Sequence, residues 1–177
     1  MFRNTNYLKM GNEKQKRAFA AIESLGIMKQ LSEYNPTLCG TLPIEMDIEG
    51  SDLDMIMEVY DLKRFEEELN IFYRENENYR IKQLIIREQP VVKANFIFEG
   101  FEFELFGQPR PIESQYAYLH MLIEDAVIKE FPEVKAKVIS LKQQGFKTEP
   151  AFCQVLELEG KDPYESLLTF GRNMGYI

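Results

Sequence analysis

"CGTLPIEMDIEGSDLDMIME" (residues 39–58) sets two acidic residues, Asp52 and Asp54, one residue apart at the start of an apolar run. In an extended chain alternate side chains share a face, so the two carboxylates point one way while Leu53 and Met55 turn to the core. Like charges held that close repel and push a pKa upward, and a fold that keeps both supplies a cation. Hard oxygen ligands suit Mg²⁺, which keeps waters and takes further ligands from substrate phosphates. The competing reading of the same residues is a solvated strand edge or a turn network, which Ser-Asp clusters also form.

A third carboxylate must come from a neighbouring strand, and "FEFELFG" (residues 101–107) offers one. Phe101, Phe103 and Leu105 share its core face, and Glu102 and Glu104 share the other, so one of these acids can complete the set. Both are also ordinary outward residues of an amphipathic strand. Three carboxylates can hold two ions roughly 3.5–4 Å apart, which is the arrangement of phosphoryl and nucleotidyl transfer.

Outward from these strands, Asn12 predicts a helix N-cap, with a stripe of Ala18, Ala21, Ile22, Leu25 and Met28 running to about Leu31 across Gly26. Strands are expected at Thr37–Cys39 and Leu53–Val59, and a helix capped by Asp61 and running to about Arg74. An antiparallel meander follows at Tyr79–Arg87, Val91–Phe98 and Phe101–Phe106, turning at Glu-Gln-Pro and Glu-Gly. Beyond Ile112 the pattern is helical: about Glu113–Glu130, Pro132 to about Gln144, a helix capped by Thr148 to about Leu158, and a last one opened by Asp162-Pro163. The chain thus reads as an α/β (α+β) region, residues 1–110, with a mixed sheet flanked by helices, followed by a helical bundle at 111–177 with the seam near Pro109–Pro111.

The 177 residues carry 21 Lys and Arg against 29 Asp and Glu, a formal net charge of −8. No Lys/Arg stripe is apparent, which argues against a broad nucleic-acid footprint and leaves a small or cationic ligand as the easier partner. No apolar run reaches the roughly 20 residues of a membrane span, and no leader segment is apparent. Cys39 and Cys153 lie singly in apolar surroundings and read as small core residues, which fits a reducing cytoplasm. His120 stands four residues before Glu124 on the expected helix, a spacing at which the two can pair. The neighbouring stripe Tyr116, Leu119, Ile123, Ala126 and Val127 reads as core.

Gly40-Thr41, Ser51-Asp52-Leu53-Asp54-Met55 and a later strand bearing Glu104 together resemble the signature of the nucleotidyltransferase superfamily, the DNA polymerase beta-like fold. The runs "FELFGQPRPIESQYAYLHMLIE" and "KTEPAFCQVLELEGKDPYESLL" are similar to a bacterial domain-of-unknown-function family within it. The resemblance implies that Asp52, Asp54 and Glu104 bind two Mg²⁺ (or Mn²⁺) ions and carry catalysis, with Glu104 preferred over Glu102 because the family-like run begins with it. It also implies that Gly40, Thr41 and Ser51 meet the triphosphate of an NTP. Many small members carry an Arg shortly after the Gly-Ser pair, where this chain has Leu42-Pro43-Ile44-Glu45 after Gly40-Thr41. Arg87, Lys93 and Arg110 are the candidates to meet phosphates in its place.

The expected function is therefore a metal-dependent nucleotidyltransferase moving a nucleoside monophosphate from an NTP to a hydroxyl of a small molecule. Its acceptor pocket would come from the helical half. The alternative is a catalytically inactive, nucleotide-binding or regulatory module of the same fold. Neither nucleic acid nor membrane is an expected partner.

Overall fold

Asn12 starts the first helix as its side chain implies: its Oδ1 accepts the Gln15 backbone N–H at 2.9 Å, and the Gln15 side chain accepts the Asn12 N–H at 3.0 Å. This reciprocal capping box satisfies two backbone donors that a helix start otherwise leaves open. The computed structural model describes residues 2–177. Helix α1 (Glu13–Leu25) ends at Gly26, whose φ of 73° is left-handed, and a single turn, α2 (Ile27–Gln30), follows. The apolar stripe runs on past Gly26, but the helix does not, because glycine at this C-cap position reverses the chain without a Cβ penalty.

Strands β1 (Thr37–Cys39) and β2 (Leu53–Glu58) precede α3 (Leu62–Tyr73), whose Asp61 cap accepts the Arg64 N–H at 3.0 Å. Strands β3 (Glu77–Ile86), β4 (Gln89–Phe98) and β5 (Phe101–Gln108) then complete one five-stranded sheet in the order β1-β2-β5-β4-β3. Every pairing is antiparallel except β2 with β5, which is parallel and sets Asp54 directly beside Glu104. The β3–β4 hairpin turns at Arg87-Glu88, both at positive φ (47° and 63°), not at Glu-Gln-Pro. Pro90 is instead the second residue of β4, opposite Ile85, near a strand start where its missing N–H is tolerated.

One face of the sheet carries the apolar half of the alternation. Phe103 stacks on Phe96 (5.4 Å between centroids, 5°), Phe96 on Tyr73 of α3 (5.1 Å, 16°), and Leu53, Met55 and Met57 continue the layer. Such ring pairs contribute about 0.5–1.5 kcal/mol each beyond the area they bury. The other face carries Asp54, Glu102, Glu104, Lys93 and Asn95.

The chain divides into two compact units: residues up to Cys39 with Gly50–Ser114, and Gly40–Glu49 with Gln115–Ile177. The first holds the sheet. The second is helical: α4 (Tyr116–Glu130), α5 (Pro132–Gln143), α6 (Thr148–Val155) and α7 (Pro163–Met174), around Ile123, Val127, Val138, Phe152, Leu167 and Leu168. Glu113 falls in a single turn at Ile112–Ser114, so α4 starts later than its pattern implies. Lys147, not Thr148, is the N-cap of α6, and it makes no side-chain cap bond. No helix among the described residues is long and apolar enough to cross a membrane.

Candidate active site

Asp52 lies just before β2 and Asp54 on it, and the parallel register with β5 brings Glu104 alongside. One carboxylate oxygen from each of Asp52, Asp54 and Glu104 lies within 4.8 Å of the other two, and all three residues are half-buried. Two oxygens bound to one Mg²⁺ at 2.0–2.1 Å stand at most about 4.2 Å apart, so small rotamer changes suffice for shared ions. The donor set is all hard oxygen, as that cation requires.

The electrostatics point the same way. The Asp52 carboxyl is raised above the usual range, first by burial and then by the negative charge of Glu104, with Glu102 adding less and Lys93 opposing it. Burial and the Asp54 charge also push the Cys39 thiol well up, which leaves it a neutral core group opposite Asp54 across β1 and β2. The three acids crowd one another, and a divalent cation would relieve that crowding.

Two neighbours decide between the candidate third acids. Lys93 Nζ sits 2.6 Å from Glu104 Oε2, and Asn95 Nδ2 donates to the same oxygen at 3.3 Å. Glu102 is instead ion-paired with Arg80 and accepts Asn95 Nδ2 at 3.3 Å. Only Glu104 joins the aspartates in the close group. Asn95, 6% exposed, and Arg80 were not among the residues the sequence pointed to. Asn95 had a readable signal, because a lone amide inside the apolar strand "VVKANFIF" needs polar partners once buried. Arg80 had none until the β3–β4 register was known.

The remaining candidates are placed as follows. Ser51 directly precedes Asp52 in the sheet unit. Arg87 is at the hairpin tip: Arg80 shares the cross-sheet row with Glu104, and the seven residues from Arg80 to Arg87 span about 23 Å at ~3.3 Å each. The structure thus brings Lys93 to the acids and leaves Arg87 away from them. Gly40 and Thr41 open the Gly40–Glu49 segment of the second unit. Gly40 has φ 76°, and the Thr41 carbonyl accepts the Met46 N–H at 2.9 Å. Within that unit Lys142 Nζ donates to the Met46 carbonyl at 2.6 Å, and Lys135 pairs with Glu45 at 3.3 Å, so two lysines of α5 fasten the segment.

His120 pairs with Glu149, not with Glu124. Its Nδ1 is 3.4 Å from Glu149 Oε1 and its Nε2 3.0 Å from the Tyr164 carbonyl, tying α4 to α6 and α7. The i, i+4 spacing to Glu124 is real, but at 3% exposure His120 is turned to the neighbouring helices. Tyr116 is bonded to Glu165 of α7.

A mixed five-stranded sheet flanked by helices is similar to the nucleotidyltransferase fold. Among solved structures the chain is similar to the Cid1 poly(U) polymerase in a variant bound to MgATP, with a TM-score of 0.56 and 18% identity over 86% of this chain and 53% of that one. It is also similar to a chain of the GLD-2/RNP-8 complex, with a TM-score of 0.55 and 13% identity over 80% and 56%. A cytoplasmic RNA terminal U-transferase gives 0.51 and 18% over 78% and 45%. The chain therefore spans about half the length of these structures. By sequence it belongs to DUF4269, a family described as a domain of unknown function, whose profile matches residues 20–170. No curated protein sequence matches it.

Proposed function

We propose that the chain is a metal-dependent nucleotidyltransferase that moves a nucleoside monophosphate from an NTP to a hydroxyl of a small molecule. One observation carries this reading: the convergence of Asp52, Asp54 and Glu104 within 4.8 Å on the polar face of the sheet. These residues would hold two Mg²⁺ or Mn²⁺ ions, which when bound supply charge neutralisation around the reacting phosphate. Glu104 accepts the proton of the acceptor hydroxyl, and Lys93, 2.6 Å from its carboxylate, holds that side chain in place. The acceptor oxygen forms a bond to the α-phosphorus, the bond from that phosphorus to the bridging oxygen breaks, and pyrophosphate leaves with the electron pair. Gly40, Thr41 and Ser51 are assigned to the triphosphate, where backbone N–H groups and hydroxyls meet anionic oxygens.

A formal charge of −8 supports a small acceptor over a polyanion. The similarity to a poly(U) polymerase and to an RNA terminal U-transferase favours RNA as the second acceptor reading. Buried, unpaired Cys39 and Cys153 support the cytoplasm as the compartment. The inactive-module alternative is supported by Glu45 standing in the stretch where an Arg is expected, and by Lys93 already serving as the cation at Glu104.

The test is incubation of the purified protein with each labelled NTP, Mg²⁺ or Mn²⁺, and either pooled metabolites or an oligoribonucleotide. Pyrophosphate release that depends on the metabolite pool supports the proposal, and release that depends on RNA moves the acceptor to nucleic acid. Nucleotide binding without release assigns the inactive module.

A further inference from the structure

Lys82 of β3 stands directly opposite Lys93 of β4 on the polar face of the sheet, and Arg80 lies two residues along β3 on that same face. Like charges directly opposite each other on adjacent strands are destabilising unless an anion lies between them. Arg80 is paired with Glu102 and Lys93 with Glu104, while Lys82 is exposed and has no acidic partner among the described residues. Lysines on an edge strand also deter edge-to-edge pairing, a role open to Lys82 on the edge strand β3 but not to Lys93 on β4, inside the sheet.

The strip continues the cross-sheet rows of the candidate site. Glu104 is opposite Asn95, and Asn95 opposite Arg80; in the next row on that face Phe106 is opposite Lys93, and Lys93 opposite Lys82. At about 4.8 Å per strand, β3 lies about 10 Å from Glu104, the span of a small phosphorylated alcohol. Leu84 and Ile86, 37% and 38% exposed, extend the same face along β3 and give an apolar footing beside the cations. Arg80 and Lys93 are each matched by a carboxylate, Glu102 and Glu104, which leaves Lys82 as the one unmatched positive charge of the strip. That suits a single phosphate and falls short of a polymer in a chain of net charge −8.

We propose that the acceptor is a small alcohol bearing one phosphate group, bound on this face with the phosphate among Arg80, Lys82 and Lys93 and the hydroxyl toward Glu104. The inference rests on the nucleotidyl-transfer reading and adds the chemical class of its acceptor.

The test is an amide chemical-shift titration of the ¹⁵N-labelled protein with glycerol 3-phosphate, glycerol and an oligouridylate, with a separate MgATP titration. Glycerol 3-phosphate is expected to shift residues around Arg80, Lys82 and Lys93, and glycerol to leave them unmoved. Lys82→Glu, an exposed change whose folding the same spectrum verifies, should weaken that response at least tenfold while keeping the MgATP response at Asp52, Asp54 and Glu104. Absence of shifts at the strip, equal responses from Lys82→Glu, or stronger binding of the oligouridylate there would each overturn the proposal. Failure of the transfer reading itself shows separately, as a missing MgATP response at the three acids in the unaltered protein.

Discussion

Asp52 is a residue at which the site is costly to the free protein. Burial and Glu104 raise its folded pKa above the unfolded value of about 3.9. A raised folded pKa means that the neutral carboxyl is favoured in the fold, so Asp52 contributes stability below the unfolded pKa and loses it as pH rises through the folded one. At neutral pH without metal the ionised side chain is therefore a liability. Asp52→Asn should raise the melting temperature in EDTA at pH 7, on the order of 2 °C, and the gain should shrink toward zero as the pH falls below the ordinary carboxylate range. Melts of both proteins across that pH series check the point, and a variant that melts lower at pH 7 would mean that Asp52 is engaged by a favourable partner instead. The pairing of Asp52 with Asp54 was legible because alternation in a strand follows from the backbone alone. The choice of Glu104 over Glu102 depends on Lys93, Asn95 and Arg80, whose positions follow from strand register.

Among the elements, two glycines test different parts of the architecture. A Cβ on Gly107 of β5 would lie 2.5 Å from Phe65 Cε1 and 2.8 Å from Val59 Cγ2, under the helix α3 that covers the apolar face. Gly107→Ala should cost about 1–3 kcal/mol in chemical denaturation, the range for overpacking a filled core, and should leave nucleotide affinity unchanged. At Gly40 the left-handed φ of 76° is itself the constraint. Gly40→Val combines a β-branched side chain with a conformation that costs an ordinary L-residue roughly 1–2 kcal/mol, so lost nucleotide binding in that variant would not isolate a phosphate contact. Gly40→Asn tolerates that backbone, and it should melt within about 1 kcal/mol of the parent while weakening MgATP binding if the triphosphate passes there; unchanged affinity would place the phosphates elsewhere. Helix and strand positions were largely readable, since Asn12, Asp61 and the alternation of β5 act locally. The misreadings at Gly26, Thr148 and Glu-Gln-Pro were also local, where one residue type serves two conformations: glycine tolerated within a helix or ending it, threonine capping or first in the helix, proline in a turn or at a strand start. The order β1-β2-β5-β4-β3, and with it the parallel pair that makes the site, was not legible in the sequence, because it is set by pairing between strands far apart in the chain.

At the scale of the whole molecule, the transfer reading assigns metal binding to Asp52, Asp54 and Glu104 and the triphosphate to Gly40, Thr41 and Ser51. Neither assignment follows from the net charge, which disfavours anionic ligands in general; local arrangement has to overcome it. A ligand that binds only the folded chain stabilises it by RT ln(1 + [L]/Kd), about 2.7 kcal/mol at a hundredfold excess over Kd. For a chain of this size that corresponds to a rise on the order of 5–10 °C in melting temperature. MgATP should produce such a rise in the unaltered protein, EDTA should reverse it, and Asp54→Asn should abolish most of it. Ionic strength must be matched across the samples, because added salt alone screens the repulsion among the three acids and would mimic part of the effect. A rise of equal size in Asp54→Asn would detach nucleotide binding from the acidic cluster. No rise in either protein would remove the metal-nucleotide reading and leave Asp52, Asp54 and Glu104 as a crowded acidic edge balanced by Lys93.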